Sequence, residues 1–408
     1  MKDSYKALKG GILIDGNGGP PIANSVVAMK NDSIAQVGAA DEIIIPEGTE
    51  VIDISGKTVM PGLIDAHLHF WGIKKLHPWD ILKEGPESRA MRAVIDVWKV
   101  IDRGFTTVRD TGTASSLYLK NVIEEGSIIG PRVFAGGWVY PSNYLTYKAW
   151  PVPVDWLVER GVFPRPADGP DEIRKAVRDR LRKGYDFIKT VDDYPKEEEI
   201  GVVAEEAHNA GVKVAVHVLW GLPIKKVLNA EPDTIEHGSG LDDESIEIII
   251  KRGIYLTPTL AILELWESKG HPWDFDEATR NFFHNTYKVH RESFDRAWKA
   301  GVKIGIGTDF LSDTMSPMGK NALELELHVK AGRSPMDVIV SATKINSEIL
   351  GFDKKIGTLE VGKLADVIVV DGDPLKDISI LQDRKNIIKV YKGGKEVPRL
   401  NLNEIEQT

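Results

Sequence analysis

The chain contains no cysteine. That absence excludes disulfides, thiolate nucleophiles and thiolate-held metals, so any metal must be held by histidine, carboxylate or a less usual ligand. No apolar run reaches the roughly 18 residues needed to span a bilayer, so no membrane partner is expected. The charged start MKDSYKALKGG has neither the apolar core nor the cleavage site of a secretory signal, which makes a cytoplasmic location the expectation. Nor is there a large excess of one charge. The 61 acidic residues against 52 basic ones are spread along the chain and argue against a nucleic-acid partner. What is present, 408 residues with 42% apolar and 28% charged, is a soluble globular composition too long for one ordinary core. Two domains, or one large barrel with additions, are expected.

One phrase recurs between Phe105 and Asp309: a charged helical segment, a glycine, then a short β-branched strand. It reads clearly in DRGFTTVRD, RKGYDFIKT, NAGVKVAVH, KRGIYLTPT and KAGVKIGIGTD, and more loosely in GPRVFAGG and AEPDTIEHG. Glycine past a helix end adopts the left-handed cap cheaply, so this is the pattern of a helix feeding a strand. With GLIDAHLH as the first strand the count is eight, which predicts a closed (β/α)8 barrel, the TIM barrel, with an open doubly wound sheet as the alternative. Residues 1–58 and 356–408 instead show short alternating strands split by Gly, Asn and Asp turns, and GNGGPP reads as a hairpin turn. The expectation is an α/β protein with the barrel at 59–355, inserted into a small β-sandwich built from both termini.

The strand ends carry the chemistry. In LIDAHLHF alternate side chains share a face, so Asp65, His67 and His69 point the same way. VAVHV, TIEHG and IGIGTD add His217, His237 and Asp309 where strands run out, the face that bears function in such barrels. Each alone would serve as well as a hydrogen-bonded core residue. Together they make a ligand set, and the remaining histidines, His77, His208, His271, His284, His290 and His328, are assigned to the surface. Lys189, inside the apolar strand YDFIKTVDD, is unusual. A buried ammonium beside a cation is costly. A depressed pKa would leave a neutral amine able to add carbon dioxide, and the resulting carbamate could bridge two metals. The other reading is a lysine reaching solvent past the rim.

The segments PGLIDAHLH, IKT, VAVH, TIEHG, IGTD and IGTLEVGKLADVIVVDGDP, in this order, resemble the amidohydrolase superfamily. More narrowly, they resemble its imidazolonepropionase-like and Xaa-Pro dipeptidase (prolidase-like) metal-dependent hydrolases. The resemblance covers nearly the whole chain. It implies a centre of two divalent metal ions, usually zinc, with His67, His69, Lys189 and Asp309 on the first and Lys189, His217 and His237 on the second. Lys189 would be carboxylated, a hydroxide would bridge the metals, and Asp309 would pass its proton to the leaving group. Manganese, cobalt or iron would also suit such ligands. Deaminase branches lack the strand-four lysine and carry a glutamate soon after the strand-five histidine. Here that stretch reads HVLWG, which favours hydrolysis of an acyl bond and counts against imidazolonepropionase itself.

The likeness frays after the third strand. Prolidase-like relatives commonly have a Thr-Gly-Gly-His turn there, with the histidine facing substrate, whereas this chain reads AGGWVYPSNYLTYKAWPVPVDW. Trp138, Tyr140, Tyr144, Tyr147, Trp150 and Trp156 crowd residues 138–156, and Trp71 and Trp220 follow candidate ligands. Trp71, Tyr144 and Trp220 are the expected substrate contacts, for a bulky or aromatic group. The alternative is that these aromatics pack the loop or form a subunit interface. Arg109 and Asp110 read as a structural ion pair, with substrate contact as the alternative. The expected activity is hydrolysis of the amide or peptide bond of a small molecule, a dipeptide or N-acyl amino acid, by a homo-oligomer. Lactone, ester or organophosphate hydrolysis at the same site, and an inactive scaffold, are the alternatives.

Overall fold

The computed structural model describes residues 4–142, 152–192, 197–219, 224–269, 277–312 and 316–399. Seven parallel strands form one sheet in chain order: β1 (Leu63–Leu68), β2 (Phe105–Asp110), β3 (Arg132–Trp138), β4 (Phe187–Val191), β5 (Lys213–Val218), β6 (Thr234–His237) and β7 (Tyr255–Thr257). Helices alternate with them, most of them stopped by the recurring glycines; the helix Ile224–Asn229 ends instead on Glu231, φ +55°. Helix Asp243–Arg252 starts at Asp242, whose carboxylate accepts from Ser245 N at 2.8 Å. It ends at Gly253, φ +68°, where the Ile254 N–H returns to Ile249 O.

The expected eighth strand is present as a hydrogen-bonded segment and not as a regular strand. Residues 303–310 bond to β7 through Leu256 and to β1 through Ala66, His67 and His69, with isolated parallel bridges Leu256–Ile304 and Leu68–Phe310. Side chains take over bonds that a ladder would make. Asn346 donates to Ile64 O and Ile306 O and accepts from Ile306 N. Buried Asp65 accepts from the N–H groups of His67 and Thr308, the Thr308 hydroxyl and the Asn321 amide. The result is a nearly closed barrel of seven strands.

Strands from the two ends of the chain form two further sheets. One joins Tyr5–Lys9, Ser25–Lys30, Ser33–Ala39 and Glu50–Asp53; the other pairs Lys57–Pro61 with Val367–Asp371, and that with Ile387–Lys392. Leu8, Val27 and Ile34 of the first share one apolar cluster with Val59, Val367, Val369 and Tyr391 of the second. The GNGGPP turn closes on the Leu13–Ile22 antiparallel bridge. Among the described residues no helix is long and apolar enough to cross a membrane.

Candidate metal centre

His67, His69, Lys189, His217, His237 and Asp309 all line one cavity of about 120 Å³ at the carboxyl ends of the strands. They arrive by different routes. Lys189 and His217 stand on β4 and β5, where Lys189 lies opposite Ala215 and Trp138. His237 reaches the cavity although its neighbour Glu236 also faces inward, because β6 ends there and the backbone turns at φ +67°. Asp309 does the same at the end of the closing segment, φ +55°. Left-handed conformations cost such residues of order 1 kcal/mol or more, and they persist only where surrounding structure holds them. Asp65 shares strand parity with His67 and His69 but is not in the cavity wall; it brackets the seam instead.

Asp309 Oδ1 lies 3.4 Å from His67 Nε2 and 3.1 Å from His69 Nε2. One ligand atom from each of His67, His69 and Asp309 falls within 4.8 Å of the others, a spacing that fits a divalent cation. The far nitrogens are committed elsewhere. His67 Nδ1 meets Glu236 Oε2 at 2.6 Å, His69 Nδ1 meets Gly112 O at 2.9 Å, and His237 Nδ1 meets Thr259 Oγ1 at 2.7 Å. Such outer partners fix the ring and its tautomer in metal sites. Among the described residues the buried His237 Nε2 has no hydrogen-bond partner, and the His217 and His237 rings approach to 4.4 Å between centroids. This donor set suits divalent ions that take nitrogen and oxygen ligands.

The electrostatics agree. Burial pushes Lys189 down to about 8, with Glu236 and Asp309 opposing, so a neutral amine is accessible near neutral pH. Burial, reinforced by the Lys189 charge, drops His217 well below its ordinary value, and burial with His217 does the same to His237; both rings stay neutral, as ligands must. Burial opposes ionisation of Asp309, but His67, His69 and His237 outweigh it and hold the carboxylate well below its usual range.

Glu236 was not singled out by sequence reasoning. Glu236, fully buried, is lowered by Arg109, His67 and Lys189 against the penalty of burial. Arg109 is therefore structural but not paired to Asp110: it bonds Ala66 O, Thr234 Oγ1 and Glu236 Oε1, the last at 2.5 Å. Asp110 caps the N–H groups of Phe70 and Gly112. The signal for Glu236 was its alternation with Thr234 in a buried strand. Two assignments are corrected. His290 and His328 are fully buried, not on the surface, because the inner faces of their helices take them into the protein. His290 Nε2 meets Pro258 O at 2.6 Å, and His328 joins Glu324 and Arg333. His77, His208 and His284 have side chains 40% or more exposed; His271 lies outside the described residues.

Of the expected substrate contacts, Trp71 lines the cavity, while Tyr144 and Trp220 lie outside the described residues. Trp138, Tyr140, Phe163, Leu219, Ile262 and Trp266 complete an apolar wall. Trp156 is elsewhere, half-exposed against Trp79.

The chain is similar to the ochratoxinase of Aspergillus niger, 30% identical over 421 aligned residues that cover 94% of this chain and 85% of that protein. A crystal structure of an Xaa-Pro dipeptidase with methionine bound in its active site superposes with a TM-score of 0.85 at 29% identity, covering 97% of this chain and 100% of that one. A prolidase complexed with N-methylphosphonate-L-proline gives a TM-score of 0.86 at 26% identity, with coverage of 97% and 100%. Residues 58–397 match the amidohydrolase family, and with the barrel and the histidine-carboxylate cluster already in place, the chain belongs to that family of hydrolases.

Proposed function

We propose that the protein hydrolyses the amide or peptide bond of a small molecule carrying a bulky or aromatic group, of the dipeptide or N-acyl amino acid type. The observation that carries this reading is the convergence of six candidate ligands on one aromatic-walled cavity. His67, His69, Lys189 and Asp309 would hold one divalent ion and Lys189, His217 and His237 a second, with zinc suited to both and Lys189 converted to a carbamate. Such ions supply a nucleophilic hydroxide near neutral pH and polarise the substrate carbonyl. Asp309, kept ionised by the histidines around it, accepts a proton from the attacking water and returns it to the departing nitrogen. Trp71 and its aromatic neighbours exclude water and orient the apolar part of the substrate. Tyr144 and Trp220 are the further substrate contacts assigned in this reading. In this reading residues 59–355 are the barrel, closed by its eighth segment, and 1–58 with 356–408 the β-sandwich of a cytoplasmic homo-oligomer.

The names of the ochratoxinase and dipeptidase relatives support the amide reading. The test joins metal analysis to parallel turnover of dipeptides, N-acyl amino acids, lactones and organophosphates. About two equivalents of metal per chain and preferred amide turnover are expected. No metal after supply of metal and bicarbonate would favour the inactive scaffold, and preferred lactone or organophosphate turnover would move the activity to that bond.

A further inference from the structure

Behind the aromatic wall lies a second chamber of about 150 Å³, bordered by Thr113, Gly136, Val162, Arg180 and Tyr185. Among the described residues only Trp138 and Phe163 border both this chamber and the catalytic cavity. Trp138 is fixed from several directions. Its indole Nε1 donates to Thr111 O at 2.5 Å, its ring stacks on Tyr140 with centroids 5.3 Å apart and planes 22° from parallel, and its carbonyl accepts from Arg180 Nε at 3.1 Å. Gly112 makes room for the ring. A Cβ there would lie 1.3 Å from the indole nitrogen, and its φ of +126° is one that side chains rarely adopt. Phe163 continues the wall, 6.1 Å away and tilted by 32°.

The chamber differs chemically from the cavity. Arg180 borders it, and the nearest carboxylate of that guanidinium, Asp179, is shared with Arg182 and Lys183. Three cations on one anion leave the Arg180 side of the chamber positive.

We propose that Trp138 is the specificity-determining residue of this enzyme, a fixed partition that sets the length limit of the substrate's aromatic group. The chamber behind it is a subsite, separated from the catalytic cavity by Trp138, for a flat extension ending in a carboxylate, with Arg180 as counter-ion. The inference rests on the cavity being the substrate pocket, as proposed above.

Calorimetric binding of benzoate, biphenyl-4-carboxylate and biphenyl-4,4′-dicarboxylate to the metal-loaded protein tests it without requiring turnover. In the wild type the second ring brings no gain over benzoate. In Trp138→Ala it brings a gain of about tenfold or more, because the ring is then buried. The dicarboxylate gains further, and Arg180→Met in the same background removes that extra gain. Phe163→Ala opens the wall from its other side and decides the matter should Trp138→Ala fail to fold. Unchanged binding ratios in folded variants, or no binding of any acid by any variant, overturn the partition. A shifted ratio in a protein that hydrolyses nothing in the substrate panel keeps the partition and sinks the proposed reaction.

Discussion

The two halves of the candidate metal centre are built differently. Lys189 and His217 stand on regular parallel ladders, where strand register alone aims them. His67, His69 and Asp309 sit at the seam between β1 and residues 303–310, where buried side chains substitute for ladder bonds and the backbone takes a left-handed turn. Register is a property of backbone, so the ladder half tolerates loss of a single polar contact. The seam depends on a few carboxylates and amides, each with several partners, and is correspondingly easier to damage from a distance.

Four experiments sharpen that contrast. Lys189→Met removes the ladder-side anion and should lower kcat/KM by about 10³-fold or more, with metal content falling from about two equivalents towards one. In the metal-free protein the melting temperature should hold or rise, since Lys189 is there a free amine whose charged form burial disfavours; a large drop in stability would show that the ladder half is also bracketed. Glu236→Gln acts on the seam. Arg109 loses its buried counter-charge and His67 its carboxylate, so about 3 kcal/mol of stability and 10–100-fold of metal affinity should go together in denaturant and metal titrations. Asp65→Asn turns one acceptor towards donors at the same seam. About 2 kcal/mol should be lost, with a smaller change in metal affinity.

The fourth, smallest effect is in pH. In the metal-free protein His217 and His237 have folded pKa values below the unfolded 6.5. The unfolded chain then binds more protons, and stability falls as pH drops below 6.5, by up to about 1.4 kcal/mol per pH unit for each ring. At the seam the sign reverses. Burial disfavours a charged His67, but Asp309 and Glu236 outweigh it and raise its pKa. Its contribution is fully present below 6.5 and lost as pH rises through the folded value. Chemical denaturation across pH should therefore show a flattened acid limb in His217→Asn, and in His67→Asn the disappearance of the loss above 6.5. Identical profiles for the two variants would end the distinction.

Both halves were legible where a short period carries the signal. His67, His69, His217 and the glycine-capped helices follow from periods of two and of one helical turn, whereas Lys189 had two readings until the fold put it in the cavity wall. At the seam, Asp65 shares parity with His67 and His69 but lies outside the cavity wall, because Thr308 and Asn321, more than 240 residues away, take its carboxylate. His328 was assigned to the surface for a similar reason. Its partner Glu324 accepts from the N–H groups of Leu260 and Ala261, a contact with no local signature.

Composition and strand spacing by themselves determined that this chain forms an α/β barrel-like fold with histidine and carboxylate at the strand ends, and the ordered motifs, by their resemblance to the amidohydrolases, pointed to a hydrolase. Those features repeat over a few residues, where backbone geometry dictates side-chain direction. Tertiary structure alone decided how the barrel closes, which carboxylates hold the ligands, and that Trp138 divides the cavity from the chamber behind it. Each of these depends on groups distant in sequence meeting in a low-dielectric interior, where a buried polar atom must find a partner wherever the fold supplies one.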